Sequence, residues 1–388
     1  MTAFDKSTAA FPGRRHHVFL LTCGASPLPA VALERMVAAA QHQAEAGGLV
    51  FRSYDETLDR FHQAAARLLD TSSDNISFQR NTTEGLSLLA GGYPFQAGDE
   101  VISYVHEYPA NHYPWRNLTR RGVRLVELPN VASSGNEACG DRPCAFSLDD
   151  LERLITPRTR VVALSTAQFA SGFALDVRAV STICGEHGID LVLDAAQSLG
   201  ALPLRPEEHG VAAVVAPGWK WLLGPIGSGL MYTSPAFRDK LEPVAVGAET
   251  MTQGTDYLDH SWSPHTTAKR FEYATSSPAL VAALEASISE IHLRYGVDAI
   301  RDEILRLQDL LVEQLDPASY FAVRHPAGNR SGVLSVVPLR RPPEEVVDGL
   351  LARGFVTSAR GGYVRLAPHF FVTDEEIEQL ADAMRDLG

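Results

Sequence analysis

Lys220 lies in the stretch PGWKWLLGPIGSG, between Trp219 and Trp221 and after the apolar run VAAVVA. No other charged residue occurs between His209 and Arg238. Taking an ammonium out of water is costly, so a lysine here needs a partner or a reaction. Asp194, 26 residues earlier, ends another apolar run, DLVLD. A third segment, RNTTEGLSLLAGG, follows the strand-like ISFQ and presents Thr82 and Thr83 where a helix begins. Hydroxyls, free amides and the helix dipole at that point suit a phosphate. An amine, a carboxylate and an anion site are what pyridoxal 5′-phosphate (PLP) needs for its aldehyde, its pyridine nitrogen and its phosphate. Desolvation keeps a lysine amine neutral and nucleophilic, and an aspartate holds a proton on the ring nitrogen.

These residues need a frame that brings them together. The runs VISYV, VRLVEL, RVVALS, DLVLD and AAVVA read as short buried strands. Between them SLDDLERLI reads as a helix capped by Ser147, and DVRAVSTICGEHG as one that Gly188 ends. Apolar strands alternating with helices predict a mostly parallel sheet covered on both faces, with ligands beyond the carboxyl ends of its strands. Near residue 285 the pattern changes. RDEILRLQDLLVEQL, EEVVDGLLARG and TDEEIEQLADAM read as helices, and GVLSVV and YVRLAP as strands. We therefore expect a large domain over 20–284 and a smaller α+β domain over 285–388, which the N-terminal 1–19 joins.

The 388 residues are 45% hydrophobic and 21% charged, an ordinary globular balance with enough apolar residues for a sizeable core. A net charge of −13 without a basic run argues against nucleic acid and anionic membrane as partners. No apolar run is long enough for a membrane helix and the N-terminus lacks an apolar signal core, so a cytoplasmic protein is expected. Of the four cysteines, Cys139 and Cys144 share the polar stretch SSGNEACGDRPCAF. No second Cys/His pair stands nearby, so we read a pair of free thiols there rather than a disulfide or half a metal site.

LVLDAAQSLGALPL followed by GWKWLLGPIGSG resembles the class V aminotransferase and cysteine desulfurase group of fold-type-I PLP enzymes. The likeness extends through LLTCGASPLP, NTTEG, HEYPANHYPW, AQFASG, RFEYATSSPA and VRLAPHFFVTDEEI, in that order. It implies the fold-type-I α/β architecture, with a mostly parallel seven-stranded sheet and a smaller C-terminal α+β domain. It implies that Lys220 forms the Schiff base and that Asp194 pairs with the ring nitrogen. Gln197 and Gln168 would face the ring oxygen, Thr82 and Thr83 the phosphate, and Tyr108 the ring face. Thr275 would reach the phosphate of a partner subunit, which requires a homodimer. Arg365 would clamp the substrate carboxylate, with Arg360 as local competitor, and Asn111 would reach the substrate.

The departures shape the expected reaction. Pro217 and Trp219 stand where the group often has a phosphate-binding hydroxyl and a histidine, so Ser228, Thr275 or backbone amides would replace that hydroxyl. Trp219 and Trp221 suggest a wider apolar wall. No cysteine follows Cys184, whereas the desulfurase branch carries a persulfide-bearing cysteine ahead of the carboxylate-binding arginine. This reading excludes a persulfide-forming desulfurase and favours a transaminase or a lyase that eliminates a β-substituent. The wording around Tyr108 and Lys220 is nearest the isopenicillin N epimerase-like branch, associated with secondary metabolism. It leaves an epimerase as the alternative, with His106, His112 or His369 as second acid. A member of the fold that only binds ligand is the remote one.

Overall fold

The computed structural model describes residues 3–133 and 135–388. Met1, Thr2 and Ser134, which fall in the N-terminal segment and the cysteine-bearing stretch discussed above, lie outside the described residues.

Seven short strands build the large sheet: β1 (Ile76–Phe78), β2 (Glu100–Tyr104), β3 (Arg124–Leu128), β4 (Thr159–Ser165), β5 (Asp190–Asp194), β6 (Ala213–Pro217) and β7 (Gly229–Thr233). Their order across the sheet is β1-β7-β6-β5-β4-β2-β3, and β7 alone runs against the rest. Residues of β4, β5 and β6 are buried almost throughout, because helices cover both faces. The expected mostly parallel fold-type-I sheet is therefore present. Ser147 caps its helix through the Asp150 amide at 3.2 Å, and Gly188 adopts φ +65° after the Val177–Glu186 helix.

Gly85 lets the Thr82–Gly92 helix lie directly on β6. A Cβ at that position would meet Val215 Cγ1 at 2.6 Å, inside van der Waals contact. The helix N-terminus is thereby held beside the strand that leads to Lys220.

A second, four-stranded antiparallel sheet comprises β8 (Tyr320–Ala322), β9 (Leu334–Pro338), β10 (Ser358–Arg360) and β11 (Tyr363–Leu366), in the order β10-β11-β9-β8. The N-terminal strand Val18–Phe19 pairs in parallel with Phe355–Val356, which ties the start of the chain to this smaller unit. The closing helix, Asp374–Leu387, begins with the capping box of Thr373 and Glu376. One apolar core joins Leu20, Ile304, Val336 and Met384, and Trp221 and Leu223 enter it from the Lys220 turn. Trp221 is thus a core residue; of the two tryptophans, only Trp219 lines the cavity described next. The reason is a partner: Trp221 Nε1 donates to Gln197 Oε1 at 3.2 Å, so the indole can be buried without an orphaned donor.

Candidate active site

Beyond the carboxyl ends of β5 and β6 lies a cavity of about 240 Å³. Asp194, Lys220, Thr82, Thr83, Tyr108, Gln197 and Arg365 all line it. Residues spread over nearly three hundred positions converge there because the parallel strands end on one edge, as the sheet topology requires.

Asp194 is buried at the end of β5. Its side chain accepts one hydrogen bond among the described residues, from the Ala196 amide at 2.9 Å. Burial raises its carboxyl to about 6, against the pull of that amide and of Lys220. Lys220 opens a turn closed by the Leu223 amide at 3.1 Å, and Leu223 holds the left-handed φ of +55°. A buried leucine in that region is strained, and it fixes where the turn points. Lys220 is half-buried; desolvation pushes its amine down while Asp194 pulls it up. Its Nζ lies 5.5 Å from the centroid of the Tyr108 ring. Tyr108 is 46% exposed, and its ring meets Phe169 edge to face at 5.3 Å.

Asn81 caps the Thr82–Gly92 helix by accepting the Glu84 amide at 2.9 Å. The Thr82 and Thr83 amides have no acceptor among the described residues, so they and the two threonine hydroxyls remain available to an anion. Arg365, on β11, is 4% exposed. It donates to Ser358 Oγ at 2.9 and 3.1 Å and to the Phe169 carbonyl at 2.7 Å, and no carboxylate pairs with it among the described residues. A buried guanidinium so held is built to receive an anion.

PLP fits this donor set. Asp194 keeps acceptor capacity for a protonated ring nitrogen, Lys220 is a desolvated amine, and a helix N-terminus stands at the same cavity.

Other expected site residues are engaged within the fold or lie outside the cavity. Gln197 lines the cavity but spends its amide on the Cys23 carbonyl at 2.9 Å and on Trp221. Gln168 is buried behind the cavity, donating to Glu107 Oε1 at 3.3 Å, and its Oε1 has no partner among the described residues. Glu107 also accepts the Ser165 amide at 2.7 Å and the Ser165 hydroxyl, and burial raises it to about 7. Asn111 is buried beneath the site, where its Oδ1 accepts from Trp115 Nε1 at 3.0 Å. Thr275 lines a neighbouring cleft with Arg80, Glu84 and Gly227, and Asn81 borders both spaces. Ser228 turns away to the Pro225 carbonyl at 2.6 Å, so its hydroxyl does not replace the one missing at Pro217. None of the three candidate second acids lines the cavity. His369 is enclosed between the Trp221 carbonyl and the Phe370 amide, and burial lowers it to about 3. Residues that sequence reasoning did not assign include Cys23 and Phe169, although both lie inside motifs quoted above, LLTCGASPLP and AQFASG.

The fold and the cavity together define a fold-type-I PLP-dependent enzyme. The chain belongs to the aminotransferase class-V family, which it matches over residues 18–365. A probable cysteine desulfurase of Methanothermobacter thermautotrophicus is 26% identical over 97% of this chain and 96% of its own length. A solved structure of a C-DES variant with glycine covalently linked to the PLP cofactor superimposes with a TM-score of 0.89, at 23% identity, over 98% of this chain and all of that one. A complex between the cystine C-S lyase C-DES and its reaction product cysteine persulfide gives a TM-score of 0.88, again at 23% identity, over 97% and 99% of the two chains. These findings correct the reaction expected from the sequence. Further relatives also carry the name probable cysteine desulfurase, so excluding persulfide-forming desulfurases on the missing C-terminal cysteine does not hold. The epimerase branch receives no support from them.

Among the described residues no helix is long and apolar enough to cross a membrane.

Proposed function

We propose that this chain is a PLP-dependent desulfurase-type enzyme, which breaks the Cβ–S bond of a cysteine-class amino acid and yields persulfide sulfur. The observation that carries the reading is Arg365: a buried guanidinium without an acid partner among the described residues, in the same cavity as the Lys220 amine and the Asp194 carboxylate. Arg365 holds the α-carboxylate in a forked pair. That places the substrate's Cα toward Lys220, whose desolvated amine takes the Cα proton and returns it later. Bound PLP supplies the electron sink for that carbon. Asp194 keeps a proton at the ring nitrogen, Thr82 and Thr83 hold the phosphate, and Tyr108 presents its ring beside Lys220. Cys23, Phe169 and Trp219 offer the sulfur end of the substrate an apolar, polarisable wall.

Cys23 is the one thiol in that wall among the described residues. Burial pushes it up, even though Arg365 and Lys220 pull it down. A neutral buried thiol is a poor nucleophile. The sulfur therefore leaves on a small molecule. From cystine the products are cysteine persulfide, pyruvate and ammonia, with one water consumed.

Thr275 and the exposed Leu258 and Trp262 fit a homodimer in which Thr275 serves the partner's phosphate site. Four free cysteines fit a reducing cytoplasm.

The test is turnover of the holoenzyme with cystine, read as cyanolysable sulfur together with keto acid. Sulfane sulfur released over many turnovers supports the proposal. One equivalent of keto acid per protein with no sulfur released refutes it.

A further inference from the structure

Away from the Lys220 cavity, the fold brings two cysteines together. Cys139 ends a single 3-10 turn, and Cys144 precedes Ala145, whose backbone bridges to Val131 through bonds of 2.8 and 3.1 Å. Both are buried in the same apolar cluster, neither is in a disulfide, and each thiol acts most strongly on the other's acidity. The Ser133 amide lies 3.5 Å from the Cys144 sulfur, and the Ser133 hydroxyl 3.8 Å from it. These donors, with the Cys139 thiol as the largest contributor, favour the Cys144 thiolate; Cys139, as donor, is pushed up.

The pair stands on a seam between segments. Asn136 bonds to the backbone of Arg324 through both ends of its amide, at 2.9 Å each, and the Ser133 hydroxyl meets His325 Nδ1 at 2.9 Å. Tyr363 donates to the Pro143 carbonyl at 2.9 Å, one residue before Cys144. Arg142 Nε donates to the Gly362 carbonyl at 3.2 Å. On the other side, the Ser171 hydroxyl donates to the Cys144 carbonyl at 2.5 Å. Arg365 stands two residues beyond Tyr363 on β11, and its acceptor, the Phe169 carbonyl, lies two residues before Ser171. The backbone at Pro143 and Cys144 therefore touches β11, which carries Arg365, and the segment whose Phe169 carbonyl accepts from it.

We propose that Cys139 and Cys144 are an oxidisable dithiol, which a low-molecular-weight disulfide converts to a bridge, and that the bridge shifts the seam holding Arg365. The Cys144 thiolate attacks one sulfur of the reagent and expels the other half as a thiolate, which takes a proton. Cys139 then loses its proton to solvent, and its sulfur attacks Cys144 Sγ. The second half of the reagent leaves as thiolate and is protonated in turn. Two protein thiols are oxidised and one disulfide is reduced to two thiols. Bonding draws the sulfurs to about 2.05 Å. It also removes the thiolate charge that the Ser133 donors face, so the backbone that Tyr363 and Ser171 hold at Pro143 and Cys144 must adjust. Because both thiols are buried, the reaction waits on local opening of the polypeptide around them.

The experiment incubates the holoenzyme with oxidised glutathione, then denatures, alkylates and maps it by mass spectrometry. The expected result is a peptide joining Cys139 to Cys144, a mass lower by two hydrogens, and Cys23 and Cys184 alkylated as before. Cys139→Ser should instead trap glutathione on Cys144. Dithiothreitol should reverse both. In the bridged enzyme KM for the amino-acid substrate rises, while kcat stays within about twofold. Four alkylated thiols in the wild type after oxidant would overturn the bridge, and a mapped bridge with unchanged KM would overturn its link to Arg365. The KM readout rests on the reaction proposed above. The mapping does not, so the two can fail separately.

Discussion

Replacing Asp194 by asparagine should make the cofactor-free protein more stable and the cofactor less tightly bound. The carboxyl is raised from 3.8 to about 6 by burial. Near 1.4 kcal/mol per unit, an ionised Asp194 costs the empty fold about 3 kcal/mol. The sign follows from proton linkage. Between about pH 4 and 6 the folded state binds the proton and the unfolded state has lost it, so stability falls as pH rises through that window. Above it the cost is fully present; below it the cost is gone. Asparagine keeps the acceptor for the Ala196 amide and removes the charge. Its NH2 faces the cavity that Asp194 lines, so it is not stranded in the core.

Equilibrium urea unfolding of cofactor-free protein, followed by tryptophan fluorescence, should show Asp194→Asn more stable by about 1–3 kcal/mol at pH 7.5, with the difference shrinking toward pH 4. Titration with PLP should move the other way. A charge-assisted bond is worth about 1.5–3 kcal/mol, so the dissociation constant should rise roughly 10- to 100-fold. Opposite signs in the two assays separate a functional carboxylate from a structural one. A variant less stable at pH 7.5 that binds PLP as tightly as the wild type would show that Asp194 is a cap for the turn at Ala196, and the burial argument would fall with it.

Arg365→Lys removes the fork but keeps a charge, and should raise KM for the amino acid about 10- to 100-fold with a smaller change in kcat; an unchanged KM in steady-state kinetics would place the carboxylate elsewhere. Cys23→Ala should release sulfane sulfur within about threefold of wild type, since a neutral wall thiol carries no sulfur; abolished release with the fold intact would make Cys23 an acceptor. Gly85→Ala forces a methyl against Val215 and should cost about 1–3 kcal/mol in urea unfolding, with weaker PLP binding because the helix N-terminus is pushed off β6. A neutral result would mean that the helix can move away freely.

Asp194 and Lys220 were legible because each follows a continuous apolar run, and such runs end on the edge of a parallel sheet where ligands bind. β7 was not, because GLMYT emerges from a glycine-rich turn and has no β-branched residue before its last. The Ala30–Ala46 helix was missed for another reason. It buries Ala32 and leaves Leu33 and Val37 each 44% exposed, so it lacks the apolar stripe by which helices are recognised. Within motifs, direction was the unreadable quantity. Gln168 and Phe169 are adjacent, yet Phe169 lines the cavity while Gln168 turns back to Glu107. Trp219 and Trp221 flank Lys220 alike in sequence, yet they part because Leu223 takes a left-handed turn and Trp221 finds Gln197. Arg365 could be named from its motif, but the lack of an acid beside it among the described residues could not. That lack depends on Ser358 and Phe169, 7 and 196 residues away along the chain, and only the folded seam brings them to the guanidinium.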